Sequence, residues 1–260
     1  MFDPIPDLSR ARILVSNDDG IDAAGIKLLE KVARSLSPYV WVVAPEHEQS
    51  AVAHSLTVRR PLRMRQAGRR RFAVDGTPTD SVLLGIRHVM KKCRPDLVLS
   101  GVNRGGNLGE DVTYSGTVAA AMEGTLLGVP AIAFSQQIEG DKPIKWNTAQ
   151  HWAGSVITKL TQIGWPRNVL INVNFPDVAA DEVTGIEVVR QGKRKLGDEL
   201  CERLDPRGQP YFWVGGQRAE DRGIAGTDLE AVCRGAIAVT PLCVDFTSVL
   251  AMDRLAKIFV

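Results

Sequence analysis

The chain has 260 residues, 44% of them hydrophobic and 24% charged, with a net charge of +2. That length suffices for one large domain with a sizeable core, or a domain plus an extension. The small net charge gives no bulk attraction to nucleic acid or an anionic membrane. The start MFDPIPDLSRARILVS lacks the basic beginning and unbroken apolar run of a signal peptide. No window approaches the roughly 18 apolar residues of a membrane span. Cys93, Cys201, Cys233 and Cys243 are scattered and form no CxxC pair. A soluble protein of the reducing cytoplasm is therefore expected.

Along the chain, short β-branched runs alternate with longer amphipathic stretches. This is the pattern of an α/β fold, a Rossmann-like, mostly parallel sheet flanked by helices. A buried strand is predicted over 12–16 (RILVS), then the loop NDDGIDAAG, then a helix over 26–36. A second strand follows over 40–44, ended by Pro45, and an arginine-rich run over 59–71 reads as a hairpin. A helix over 80–91 and a strand over 96–100 come next. A further helix over 118–127 is opened by Ser115-Gly-Thr and stopped by Gly128 and Pro130. Strands over 131–134 and 169–173 flank a helix over 148–163. The texture changes near Gly185, which divides an α/β core, 1–185, from a C-terminal extension, 186–260. Within the extension, 192–226 is rich in charge, Gly and Pro and reads as a projecting arm carrying Tyr211, Phe212 and Trp213. A short helix over 227–234, a strand over 236–241 and a helix over 249–258 close the chain.

Ligands of an open parallel sheet bind beyond the carboxyl ends of its strands. Three polar clusters fall there: Asn17-Asp18-Asp19-Gly20, 46–50 and 101–107. Asp18 and Asp19 are adjacent carboxylates that repel each other unless a cation lies between them. As four letters, NDDG equally suits a plain turn; the second and third clusters favour a site. Ser50 and Asn103 add neutral oxygens, and an all-oxygen set suits Mg²⁺ or Mn²⁺, with Ca²⁺ also admitted, rather than zinc. His47 and His54 read as solvated loop residues. The glycine-rich GVNRGGNLG with Tyr114-Ser-Gly-Thr has the composition of an anion cradle. There Ser115 and Thr117 offer hydroxyls, and the following helix start offers N–H groups. The stretch is neither G-x-G-x-x-G nor a Walker loop, so dinucleotide binding and ATP hydrolysis lose support.

ILVSNDDGIDAAGI, VVAPEHEQSA, DGTPTDSV, SGVNRGGNLGEDVTYSGTVAAAMEG and TPLCVDFT together resemble the SurE family of 5′/3′-nucleotidases. The resemblance implies dephosphorylation of nucleoside 5′- and 3′-monophosphates, with short polyphosphate a further substrate. It implies one divalent cation per subunit, held by Asp18, Asp19, Ser50 and Asn103. Phosphate contacts are implied at Asn107, Ser115, Gly116 and Thr117, and a homodimer or homotetramer through C-terminal segments. Asp18 or Asp19 would orient or deprotonate the water, or attack directly; the sequence leaves these open. Ala51 stands where many members have Gly, and Cys243 and Val249 stand where some have His. A phosphatase of the haloacid-dehalogenase type needs D-x-D, which Asp18-Asp19 does not supply. A nucleic-acid-binding module would rest on the arginine run, which has no interleaved aromatics. A non-catalytic nucleotide sensor is the third alternative. No membrane partner and no stable nucleic-acid partner are expected.

Overall fold

The computed structural model describes residues 1–140, 142–196, 200–214, 218–220 and 222–259. The expected first strand forms as β1 (Ile13–Ser16), with all four residues buried. Ile13 and Val15 enter one apolar layer and Leu14 the opposite one, as a strand covered on both faces requires. The helix after the NDDG loop starts earlier than the apolar spacing suggests, as α1 (Ala24–Leu36). It is followed by β2 (Val40–Pro45), and the arginine-rich run does form a hairpin, β3 (Met64–Gly68) and β4 (Arg71–Val74).

The helix expected over 80–91 is divided. Thr77 and Asp80 make a reciprocal capping box that starts α2 (Pro78–Leu84), and Gly85–Val89 continues as a wide π turn. Beyond it lie β5 (Leu97–Arg104), α3 (Gly116–Leu126), β6 (Ala131–Gln136), α4 (Trp146–Thr161) and β7 (Val169–Phe175). Two strands from beyond Gly185, β8 (Gly185–Val188) and β13 (Ala236–Cys243), join the same sheet, so the core continues past that point. They cover an edge that β7 would otherwise leave open.

The nine strands run in the order β3-β4-β2-β1-β5-β6-β7-β13-β8. All neighbours are parallel except β3 with β4 and β13 with β7. One apolar layer joins α1 and α4 to the sheet, the other α2 and α3. Strand order reverses at β1, whose neighbours are β2 on one side and β5 on the other. The carboxyl ends of β1 and β5 therefore flank a crevice, the usual ligand position in such sheets.

Between β8 and β13 the arm carries β9 (Arg194–Leu196) paired with β12 (Arg218–Glu220), and the hairpin β10 (Leu200–Leu204) and β11 (Pro210–Val214). Residues 197–199, 215–217 and 221 of the expected arm lie outside the described residues. A short helix, α5 (Asp228–Cys233), precedes β13. The last helix, α6 (Val249–Ala256), buries none of its residues.

Candidate active site

β1 ends in Ser16, and Asn17 turns the chain by donating its side-chain amide to the Gly20 carbonyl at 2.9 Å. Gly20 sits at φ +97, a conformation that L side chains seldom adopt, with the backbone of His47 and Glu48 close by. Asp18 and Asp19 are thereby presented in the crevice. On its other side, β5 changes register with β6 between Ser100 and Asn103. Gly101 permits this, at φ +120, where a Cβ would lie 2.3 Å from the Phe134 carbonyl oxygen. Such an irregularity re-aims the following side chain, here Asn103.

The result is a cleft of about 210 Å³ lined by Asp18, Asp19, Ser50, Asn103, Asn107 and Ser115, six of the eight residues expected from sequence. Asp18 is only 5% exposed. Burial, with a smaller push from the Asp19 charge, raises its carboxyl to about 7 in spite of hydrogen bonds from Thr117. Asp19 is also raised, by burial and the nearby Glu48 charge, against an opposing backbone hydrogen bond from Arg104. That N–H donates to Oδ2 at 3.3 Å.

These carboxyls fit a hard cation, because a positive charge between them would remove the cost that burial and mutual repulsion impose. Among the described residues no three His, Cys, Asp or Glu side chains gather in a metal-binding group. Ser50 and Asn103 line the same cleft and bring neutral oxygens beside the two carboxyls. Asn103 donates its Nδ2 to the Gly105 carbonyl at 2.8 Å, which leaves Oδ1 as its other polar side-chain atom. The Ser50 hydroxyl donates to Glu48 at 2.8 Å, a further acid of the lining beside Asp18 and Asp19.

The remaining two expected residues are placed differently. Gly116 and Thr117 are buried and do not line the cleft. The Thr117 hydroxyl donates to Asp18 Oδ1 and its backbone N–H also serves Asp18. Val118 N–H donates to Ser115 Oγ at 3.1 Å. The Thr117 hydroxyl and the N–H groups of Thr117 and Val118 thus have partners within the protein, where sequence composition assigned this helix start to phosphate. Gly116 lets the helix come this close, since a Cβ there would lie 2.7 Å from Asp18 Cβ. Ser115 accepts from Val118, so its own O–H stays available to donate.

Asn107 is fixed on all sides. Its N–H donates to Asn174 Oδ1 at 2.8 Å, its Nδ2 to Ser135 Oγ at 2.8 Å, and its carbonyl accepts from Asn172 and Asn174. Glu48, Arg104, Asp111 and Tyr114 also line the cleft, with Ala51, Gly105 and Gly106, and Arg104 is the one cation of this lining among the described residues. The sequence reading placed Glu48, Arg104 and Tyr114 within its polar clusters without giving any of them a role, and it missed Asp111. For Arg104 the available signal was its place between Asn103 and Gly105 in a polar cluster at a strand end. His54 is exposed, as expected of a loop residue, and its Nε2 lies 3.0 Å from Glu123 Oε2.

A family model described as survival protein SurE matches residues 13–198. A 5′-nucleotidase SurE from Paramagnetospirillum magneticum is 70% identical over 246 residues, covering 95% of each chain. Its counterpart from Rhodospirillum rubrum is 58% identical and covers 100% of both chains. The crystal structure of the SurE protein from Aquifex aeolicus matches with a TM-score of 0.84 at 40% identity, over 96% of this chain and 100% of that one.

Proposed function

This chain belongs to the SurE family, and we propose that it works as a metal-dependent 5′-nucleotidase, releasing phosphate from nucleoside 5′-monophosphates. The 3′-monophosphates and short polyphosphate belong to the same proposal as further substrates. The nucleotidase reading rests on relatives of 58–70% identity that carry that name. The observation that carries the metal is the buried Asp18 beside Asp19, whose raised carboxyls open on a cleft of oxygen donors.

Asp18, Asp19, Ser50 and Asn103 would hold one Mg²⁺ or Mn²⁺. A cation bound there supplies Lewis acidity toward the phosphoryl oxygens and an acidified water. The protein's own groups do the rest. Ser115 donates its hydroxyl to a phosphoryl oxygen, and the Asn107 loop, held rigid by Asn172 and Asn174, keeps the anion in register. Arg104 offsets the charge that moves onto the leaving oxygen. Asp19, less buried than Asp18, is the better placed of the two to receive a proton from the attacking water.

The test is phosphate release over a panel of 5′- and 3′-nucleotides, sugar phosphates and tripolyphosphate with Mg²⁺ or Mn²⁺. Turnover of 5′-nucleotides ahead of sugar phosphates is expected; sugar phosphates alone would refute the reading.

A homodimer or homotetramer is part of the proposal. Tyr211, Phe212 and Trp213 on β11 are all exposed, as are Val249, Leu250, Met252 and Leu255 on α6. Apolar surface of that kind is covered in oligomers. Replacing Tyr211, Phe212 and Trp213 by Ser is expected to lower the mass seen by light scattering; an unchanged mass removes β11 from the interface. No helix among the described residues is long and apolar enough to cross a membrane. The free thiols Cys93, Cys201, Cys233 and Cys243 support the proposed cytoplasmic location.

A further inference from the structure

Beside the cleft lies a second recess of about 320 Å³, which the phosphate chemistry does not use. Asp19, Glu48 and Arg104 line both spaces, so the two meet along a shared wall. The far wall of the recess is apolar: Ala23, Ala24 and Gly25 at the start of α1, with Ile144 and Trp146. Trp146 is half-buried at the first position of α4. Its indole reaches the α1 start, where a Cβ on Gly25 would stand 3.3 Å from Cη2.

We propose that this recess is the nucleoside subsite, with the base against the Trp146 indole and the ribose beside Glu48 and Arg104. The inference rests on the nucleotidase reading and adds where the rest of the substrate lies. A heterocyclic base has two apolar faces and a polar edge, and an aromatic side chain is its usual platform. A carboxylate such as Glu48 accepts from sugar hydroxyls, and Arg104 donates to base or sugar oxygens. The volume lies within the range of small-ligand sites. A larger apolar trough of about 670 Å³ also borders the cleft, but it meets it only at Ser115. Its floor includes Val118, Ala119 and Met122, and its aromatic residue, Phe246, is 83% exposed. The Trp146 recess shares three residues with the cleft and places its aromatic within the wall.

The experiment compares AMP with ribose 5-phosphate, which carries the same phosphoester without a base. In the Trp146→Ala variant the KM for AMP is expected to rise about tenfold, the scale of a lost base–aromatic contact. Ribose 5-phosphate should keep its wild-type KM and kcat, and Trp146→Phe should restore most of the AMP affinity. Because Trp146 also packs against the core, a second variant fills the space from an exposed position: Ala24→Trp should produce the same selective loss. An unchanged ratio of kcat/KM for AMP over ribose 5-phosphate in Ala24→Trp overturns the proposal. So does a parallel fall for both substrates. A wild-type enzyme that cleaves ribose 5-phosphate and no nucleotide would remove the nucleotidase reading itself, and this subsite with it.

Discussion

Stripping divalent cations with EDTA is expected to reduce phosphate release to background, and Mg²⁺ or Mn²⁺ to restore it. Asp18→Asn or Asp19→Asn should reproduce the loss with no metal able to reverse it, a fall of about 10³-fold or more in kcat/KM. The basis is charge: each carboxylate removed takes away an anionic oxygen ligand, and the neutral amide that replaces it binds a hard cation far less well. Metal titration monitored without substrate should show the same collapse. Full turnover in a demonstrably metal-free preparation would sink the scheme.

The fold should survive both substitutions, and the pH dependence gives the sign. Asp18 ionises at about 7 in the folded chain against 3.8 as its ordinary value. The folded state therefore holds a proton that the unfolded chain has already released between those pH values. Stability is fully present below about 4 and is lost as pH rises toward 7, by about 2–4 kcal/mol. The metal-free protein should accordingly melt lower at pH 8 than at pH 5. Asp18→Asn, with no proton to lose, should shrink that difference, leaving what the raised Asp19 and Asp228 carboxyls contribute. A wild-type melting temperature in EDTA that does not fall between pH 5 and pH 8 would contradict the buried, uncompensated carboxyl.

Much of this arrangement was legible in the chain. The alternation of β-branched runs with amphipathic stretches places β1, β2, β5, β6 and β7 within a few residues of their ends. Strand-end position brings together clusters that are 30 to 90 residues apart in sequence, with Asp18, Ser50 and Asn107 on one cleft. What the chain hides is partnership. Nothing in SGTVAAAMEG says that Thr117 faces Asp18, because hydroxyls at a helix start serve a phosphate or a protein acceptor equally well. The capping box at Thr77 and Asp80 moved a helix start by two residues, since Pro78 and Thr79 add no periodic apolar signal. The sequence boundary at Gly185 separates β8 and β13 from the core because the charged arm between them interrupts the βα rhythm, although they pair in parallel across it. Trp146 gave no sign at all, since a single aromatic at a helix start reads as packing.

Thr117→Val is the substitution that decides how the site is divided. Val keeps the shape of Thr and removes one hydroxyl, so no cavity confuses the result. A hydroxyl that bonded phosphate would alter KM and inhibition by free phosphate, and leave cation binding without substrate untouched. The structure places that hydroxyl on Asp18 Oδ1 instead, at a position with no exposure to the cleft. Hydrogen bonds to a charged group are worth about 1.5–3 kcal/mol. Their loss raises the Asp18 carboxyl further, by roughly one to two pH units at 1.36 kcal/mol each. A proton then competes more strongly with the cation for Asp18. The expected outcome is a cation affinity about ten- to a hundred-fold weaker at pH 7, recovering as pH rises, because deprotonation restores the ligand. kcat/KM should fall by a similar factor at limiting metal and by less at saturating metal. Phosphate inhibition should stay near wild type once the metal is saturating, and Thr117→Ser, which keeps the hydroxyl, should restore most of the cation affinity. Unchanged metal titration together with weakened phosphate inhibition would return Thr117 to the anion cradle and leave Asp18 to be held by backbone donors alone.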